Sequence, residues 1–130
     1  MTPEAGGPLV AVCSGHRCAA LRRLAGTPDA VAALAATVRS TSGAVLVTAP
    51  CLGPCAHGAV AAVAHREAGT GEPGPTVWLS GVQVPDLDVE LRGWVAAGGP
   101  GPSGHPEGAL PGSLRTAVVA VGPPLQLRAG

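Results

Sequence analysis

The sequence predicts an α/β fold, on three observations. Two short apolar runs, Leu9-Val10-Ala11-Val12 and Ala44-Val45-Leu46-Val47-Thr48, read as buried strands. Between them Val31, Leu34, Ala35 and Val38 recur at the i, i+3, i+4, i+7 spacing of one buried helical face. A strand, a helix and a second strand predict a right-handed βαβ unit with parallel neighbouring strands. Each of the two strands runs straight into a cysteine pair, Cys13/Cys18 and Cys51/Cys55.

Taken in order, residues 1–8 form a polar lead-in and the first strand ends at Cys13 in a loop that carries both Cys13 and Cys18. Residues 19–26 are rich in Ala and Arg and form a short helix or the approach to one. Thr27 is a cap, Pro28 suits a first helical position, and Asp29 suits the positive end of the helix dipole. This helix should end between Ser40 and Gly43. The second strand is continuous, β-branched, and bounded by Gly43 and Pro50. Residues 58–66 are ambiguous: alanine favours helix, but Val60 and Val63 set no clean period. Ala68 to Pro75 reads as a turn, and Thr76-Val77-Trp78-Leu79-Ser80 as a strand with Val77 and Leu79 on one face. After Pro85, Asp86 reads as an N-cap, and Leu87, Leu91, Trp94 and Val95 trace a helical face ending at Gly98. Residues 98–113 hold 10 Gly or Pro in 16 positions and form a linker. Leu114 to Val121 is either an edge strand or a mobile tail, and the tail is favoured. The expected division is a domain over 1–97 and a Gly/Pro-rich C-terminal tail over 98–130.

Bulk properties narrow the function. The chain has 130 residues, enough for one domain with its own core. Eight arginines, without lysine, balance eight acids, so no net field favours nucleic acid or a basic partner. No basic region followed by an apolar run opens the chain, and no apolar stretch approaches the length that crosses a bilayer. The expectation is a cytoplasmic protein that binds neither nucleic acid nor membrane. In that reducing compartment paired cysteines are more often metal or redox groups than structural disulfides.

All four cysteines fall in the two pairs, separated by 32 residues. If the strands are parallel neighbours, their ends emerge side by side and the pairs meet. Thiolates are soft ligands that select zinc, copper(I) or iron–sulfur clusters. Structural zinc takes four cysteines, commonly with spacers of about two to four residues, so it stays open. A 2Fe–2S cluster also takes four, and two metals tolerate a wider bite. The longer spacers here favour the cluster. Gly15 and Gly53 let the backbone curl close and aim N–H groups at sulfur.

The C-x4-C pair followed by Cys51-Leu52-Gly53-Pro54-Cys55 resembles the thioredoxin-like 2Fe–2S ferredoxins. Within them it is most similar to the small iron–sulfur subunit of NADH:quinone oxidoreductase and its hydrogenase relatives, whose second pair reads C-x-G-x-C. The resemblance covers about residues 8 to 97. It implies a thioredoxin-like α/β fold, a βαβ unit followed by a β-hairpin and a C-terminal helix on a mixed sheet, in which residues 59–65 form a strand paired with 76–80, against the alanine propensity. It implies a 2Fe–2S cluster on Cys13, Cys18, Cys51 and Cys55, one-electron transfer to or from a redox partner protein, and a homodimer. That subunit's helical N-terminal region has no counterpart before Cys13, so a free-standing ferredoxin or small accessory carrier is expected, not an enzyme in its own right. The rivals are a structural zinc module on the same four cysteines and a metal-free thiol protein with Cys13–Cys18 and Cys51–Cys55 disulfides.

Nearby groups are assigned supporting parts. Arg17, beside Cys18, would offset a cluster's negative charge, whereas Arg22 and Arg23 read as a solvated face, with docking of a partner as the alternative. His16 and His57 flank cysteines and suit hydrogen bonding to the site better than ligation. His65 and His105 read as surface residues. The two G-x-G-x-x-G strings, Gly69/Gly71/Gly74 and Gly99/Gly101/Gly104, neither follow a strand nor open a helix, which excludes dinucleotide binding as their purpose. The absence of C-x-x-C argues against thioredoxin-type disulfide exchange.

Overall fold

The computed structural model describes residues 6–49, 58–67, 73–100 and 110–122. Within them lies an α/β fold built on a five-stranded mixed open sheet. The strands are β1 (Gly7–Cys13), β2 (Val45–Ala49), β3 (Val60–Arg66), β4 (Pro73–Ser80) and β5 (Val118–Gly122), and the helices are α1 (His16–Ala25), α2 (Ala30–Arg39) and α3 (Pro85–Ala96). The sheet order is β2-β1-β3-β4-β5. β1 and β2 are parallel, in register from Leu9 opposite Val45 to Cys13 opposite Ala49. The other neighbouring pairs are antiparallel. The two apolar runs before the cysteine pairs are thus adjacent parallel strands, as the βαβ pattern requires.

The core sits between one sheet face and the helices. Val10, Val12, Val63, Val77 and Leu79 pack with Leu34 and Val38 of α2 and with Leu91, Trp94 and Val95 of α3. On the other face Leu9, Ala11 and Ala62 form a smaller cluster with Val45, Val47 and Trp78. Burying a Leu or Val side chain contributes about 1.5–3 kcal/mol, so a core without Phe or Tyr still carries a substantial apolar term. β3 is buried from Val60 to Ala64. Flanked by β1 and β4, it must be apolar on both faces, and that explains both its lack of period and its choice of strand over helix. Tertiary pairing overrides alanine propensity there.

Several boundaries differ from expectation. Cys18 is not in a loop: α1 starts at His16, so only Ser14 and Gly15 separate β1 from helix. α1 closes on Gly26, whose φ of 82° is left-handed, a conformation glycine adopts without the Cβ penalty. Asp29, rather than Thr27, occupies the cap position of α2, and no side chain caps that helix. The Thr27 hydroxyl is engaged elsewhere, donating to the Gln83 carbonyl at 2.7 Å and pinning the α1–α2 turn to the loop before α3. Asp86 is not the cap of α3 either. Val84 caps it and Pro85 takes the first turn, where its missing N–H costs nothing, with Asp86 and Asp88 following near the positive helix end.

The largest departure is at the C-terminal side. Within the expected tail, the described residues 110–122 hold folded structure: a 3₁₀ turn (Gly112–Ala117) leads into β5, which pairs with β4. Leu110, Leu114 and Ala117 belong to the main core. The apolar run Leu114 to Val121 therefore completes the sheet, and the edge-strand alternative holds. The residues either side, 101–109 and 123–130, lie outside the described residues.

Candidate metal centre

The parallel pair sets the site. Cys13 is the last residue of β1, and its register partner is Ala49, the last residue of β2 and two positions before Cys51. Ser14 ties the two ends together. Its amide donates to the Ala49 carbonyl at 2.7 Å, and its hydroxyl donates to the same oxygen at 3.2 Å. Gly15 takes the N-cap position in extended backbone, and α1 begins at once. Cys18 falls in the first turn of that helix, where unsatisfied N–H groups and the positive dipole end favour an anionic sulfur.

Both described cysteines are buried, Cys13 at 1% exposure and Cys18 at 0%. The return from the second pair also reaches this end of the sheet. Gly58 lies three residues after Cys55, and Ala59, next along, accepts amides from Gly81 and Val82 and donates its own amide to Gln83 Oε1 at 3.0 Å. Gln83 thus joins the start of β3, through its side chain, to the α1–α2 turn, through its carbonyl and Thr27.

Cys51, Cys55 and His57 lie outside the described residues, as do His105, Gly69, Gly71, Gly101 and Gly104. Among the described residues no group of three or more Cys, His, Asp or Glu could hold a metal. Two soft, buried thiols at the end of β1 and the start of α1 have the donor chemistry of half a four-cysteine site, and Cys51 and Cys55 would supply the other half. His16 is exposed on the first turn of α1, and His65 is half-buried on β3, not a plain surface residue.

The arginines rearrange the expected electrostatics. Arg17 and Arg23 are exposed, but Arg22 is buried, and its Nη1 donates to the Cys13 carbonyl at 2.8 Å. Composition alone hides this. The recoverable signal is the spacing of Cys18 and Arg22, four residues apart and therefore on one face of α1. Asp88 is also buried and pairs with Arg92 one helical turn on, at 3.1 Å.

No protein-family model, curated protein or solved structure matches the chain. Among the described residues no helix is long and apolar enough to cross a membrane.

Proposed function

We propose that the chain is a thioredoxin-like 2Fe–2S ferredoxin, a cytoplasmic electron carrier whose cluster is held by Cys13, Cys18, Cys51 and Cys55. The observation that carries this reading is the Ser14–Ala49 clasp. It fastens the turn between Cys13 and Cys18 to the last residue of β2, two positions before Cys51. A parallel first pair, an antiparallel β3–β4 pair and a following helix support the thioredoxin-like assignment, with β5 as an addition at the outer edge.

When bound, a 2Fe–2S cluster supplies reversible one-electron exchange. The chain's own residues bury two of the thiols, keep water from them, and offer amides and a helix N-terminus toward negative charge. The protein then works with a redox partner protein, as carrier and not as catalyst, and the family resemblance favours a homodimer.

The test is iron and acid-labile sulfide quantification with electron paramagnetic resonance on dithionite-reduced, anaerobically prepared protein. The expected result is brown protein with about two irons and two sulfides per chain and a signal on reduction. Colourless protein with stoichiometric zinc overturns the proposal in favour of a structural zinc module. Cys13–Cys18 and Cys51–Cys55 disulfides in fresh extract, seen by non-reducing mass spectrometry, overturn it in favour of a metal-free thiol protein.

A further inference from the structure

Among the described residues two charged side chains are buried, Arg22 at 4% exposure and Asp88 at 8%. They are of opposite sign, and both line one cavity. It lies where β1, α2 and the helices of the two charges converge, measures about 10 Å³, and is otherwise walled by Val12, Ala30, Val31, Leu34, Val82 and Leu91. Burying either charge alone carries a large desolvation penalty, which an opposite charge across an apolar cavity offsets. No direct salt bridge joins the two. Asp88 meets Arg92 through Oδ2 at 3.1 Å, and Arg22 meets the Cys13 carbonyl through Nη1 at 2.8 Å. Polar groups too far apart for direct contact are commonly bridged by water, and about 10–15 Å³ is the room one water needs. The cavity has that room and two strong polar partners for it.

We infer that Arg22 and Asp88 bind one internal water between them and, through it, form a latch from α3 to the end of β1. The Asp88 carboxylate is held by Arg92 and accepts a hydrogen bond from the water. The Arg22 guanidinium donates to that water and, through Nη1, to the Cys13 carbonyl. A guanidinium has five N–H donors in a fixed fork, so it serves both partners at once. The links Arg92, Asp88, water, Arg22 and Cys13 run from a half-buried arginine on α3 to the last residue of β1. Asp88 is thereby a positioning residue for the Cys13 end of the sheet, although it lies 75 residues away in the chain. The inference stands on the cavity and the two buried charges, and holds whatever the cysteines bind.

The experiment combines a high-resolution crystal structure of the wild-type chain with a double-mutant cycle. The crystal structure should show one water within hydrogen-bonding distance of both the Arg22 guanidinium and the Asp88 carboxylate; no water there, or a direct Arg22–Asp88 bond, overturns the inference. In the cycle, R22M, D88L and R22M/D88L are unfolded in urea and followed by tryptophan fluorescence. Each single change strands a buried charge, whereas the double change leaves an apolar pair. The double variant should therefore retain at least about fivefold more of the folding equilibrium constant than the product of the single effects allows. Effects that multiply to within fivefold overturn the latch. R92M should couple to D88L more weakly than R22M does, because Arg92 reaches solvent, and the reverse order also overturns it. Where R22M or D88L does not fold, R22Q and D88N, closer in shape, take their places in the same cycle. Hydrogen exchange reads the link to Cys13: the Ser14 amide, which donates to the Ala49 carbonyl, should exchange at least about tenfold faster in D88N. Faster exchange confined to α3 overturns the positioning role of Asp88.

Discussion

Two glycines show how differently the two ends of the sheet tolerate change. A Cβ on Gly7 would lie 2.6 Å from the carbonyl carbon and oxygen of Gly43, both backbone atoms that cannot swing aside. G7A should therefore destabilise the fold by about 1–3 kcal/mol, read by urea denaturation followed through tryptophan fluorescence. Gly7 lies at the end of β1 away from Cys13, so iron content should hold. Gly58 presents the same conflict at the site end, where a Cβ would meet the Gly81 amide nitrogen at 2.8 Å. G58A should cost a similar amount and also lower iron retention. If G7A strips the metal as thoroughly as G58A, the site does not depend on this end of the sheet in particular.

At the scale of elements, the segment around β5 is the sharpest test. Leu114 is fully buried in a 3₁₀ turn that composition assigns to a tail. L114A should cost about 2–5 kcal/mol in the same denaturation assay, whereas a mobile tail would make it neutral. The reason the sequence misleads here is physical. The Gly/Pro density of residues 98–113 disfavours regular helix or strand by composition, but says nothing of whether the next apolar run returns to the sheet. β1, β2 and α2 were legible because each carries an uninterrupted apolar run or a clean helical period. β3 was legible only through the resemblance, since a strand sandwiched between two others and built of Val and Ala shows no alternation. That the strands preceding the two cysteine pairs lie side by side and parallel followed from the βαβ pattern. The burial of Arg22 did not, because two consecutive arginines point about 100° apart on a helix and only the tertiary neighbours decide which turns inward.

Over the whole molecule, the proposed shared centre predicts that distant residues behave alike. On the proposed function, C13S, C18S, C51S and C55S should each lower bound iron by at least about half, since one cluster would need all four thiolates. One pair of variants that leaves iron unchanged would mean that the pairs work separately. Metal and fold are coupled as well, because a ligand that binds only the folded chain stabilises it. Anaerobic removal of the metal should lower the melting temperature by at least about 5 °C, checked by calorimetry, and an unchanged midpoint would separate the centre from the fold.

The Ser14–Ala49 clasp spans a sequence separation of 35 residues, while β3 and β4 are consecutive strands joined by a short connection. Closing the longer loop carries the larger entropic penalty, so the hairpin should form early and the β1–β2 pairing late. On the proposed function, the two halves of the ligand set would belong to separate parts of a growing chain until that pairing closes. Metal delivery is then a late event in biogenesis. In refolding from denaturant, iron uptake should lag behind the recovery of sheet structure, and a newly made polypeptide passes through a window in which its thiols are exposed to oxidants.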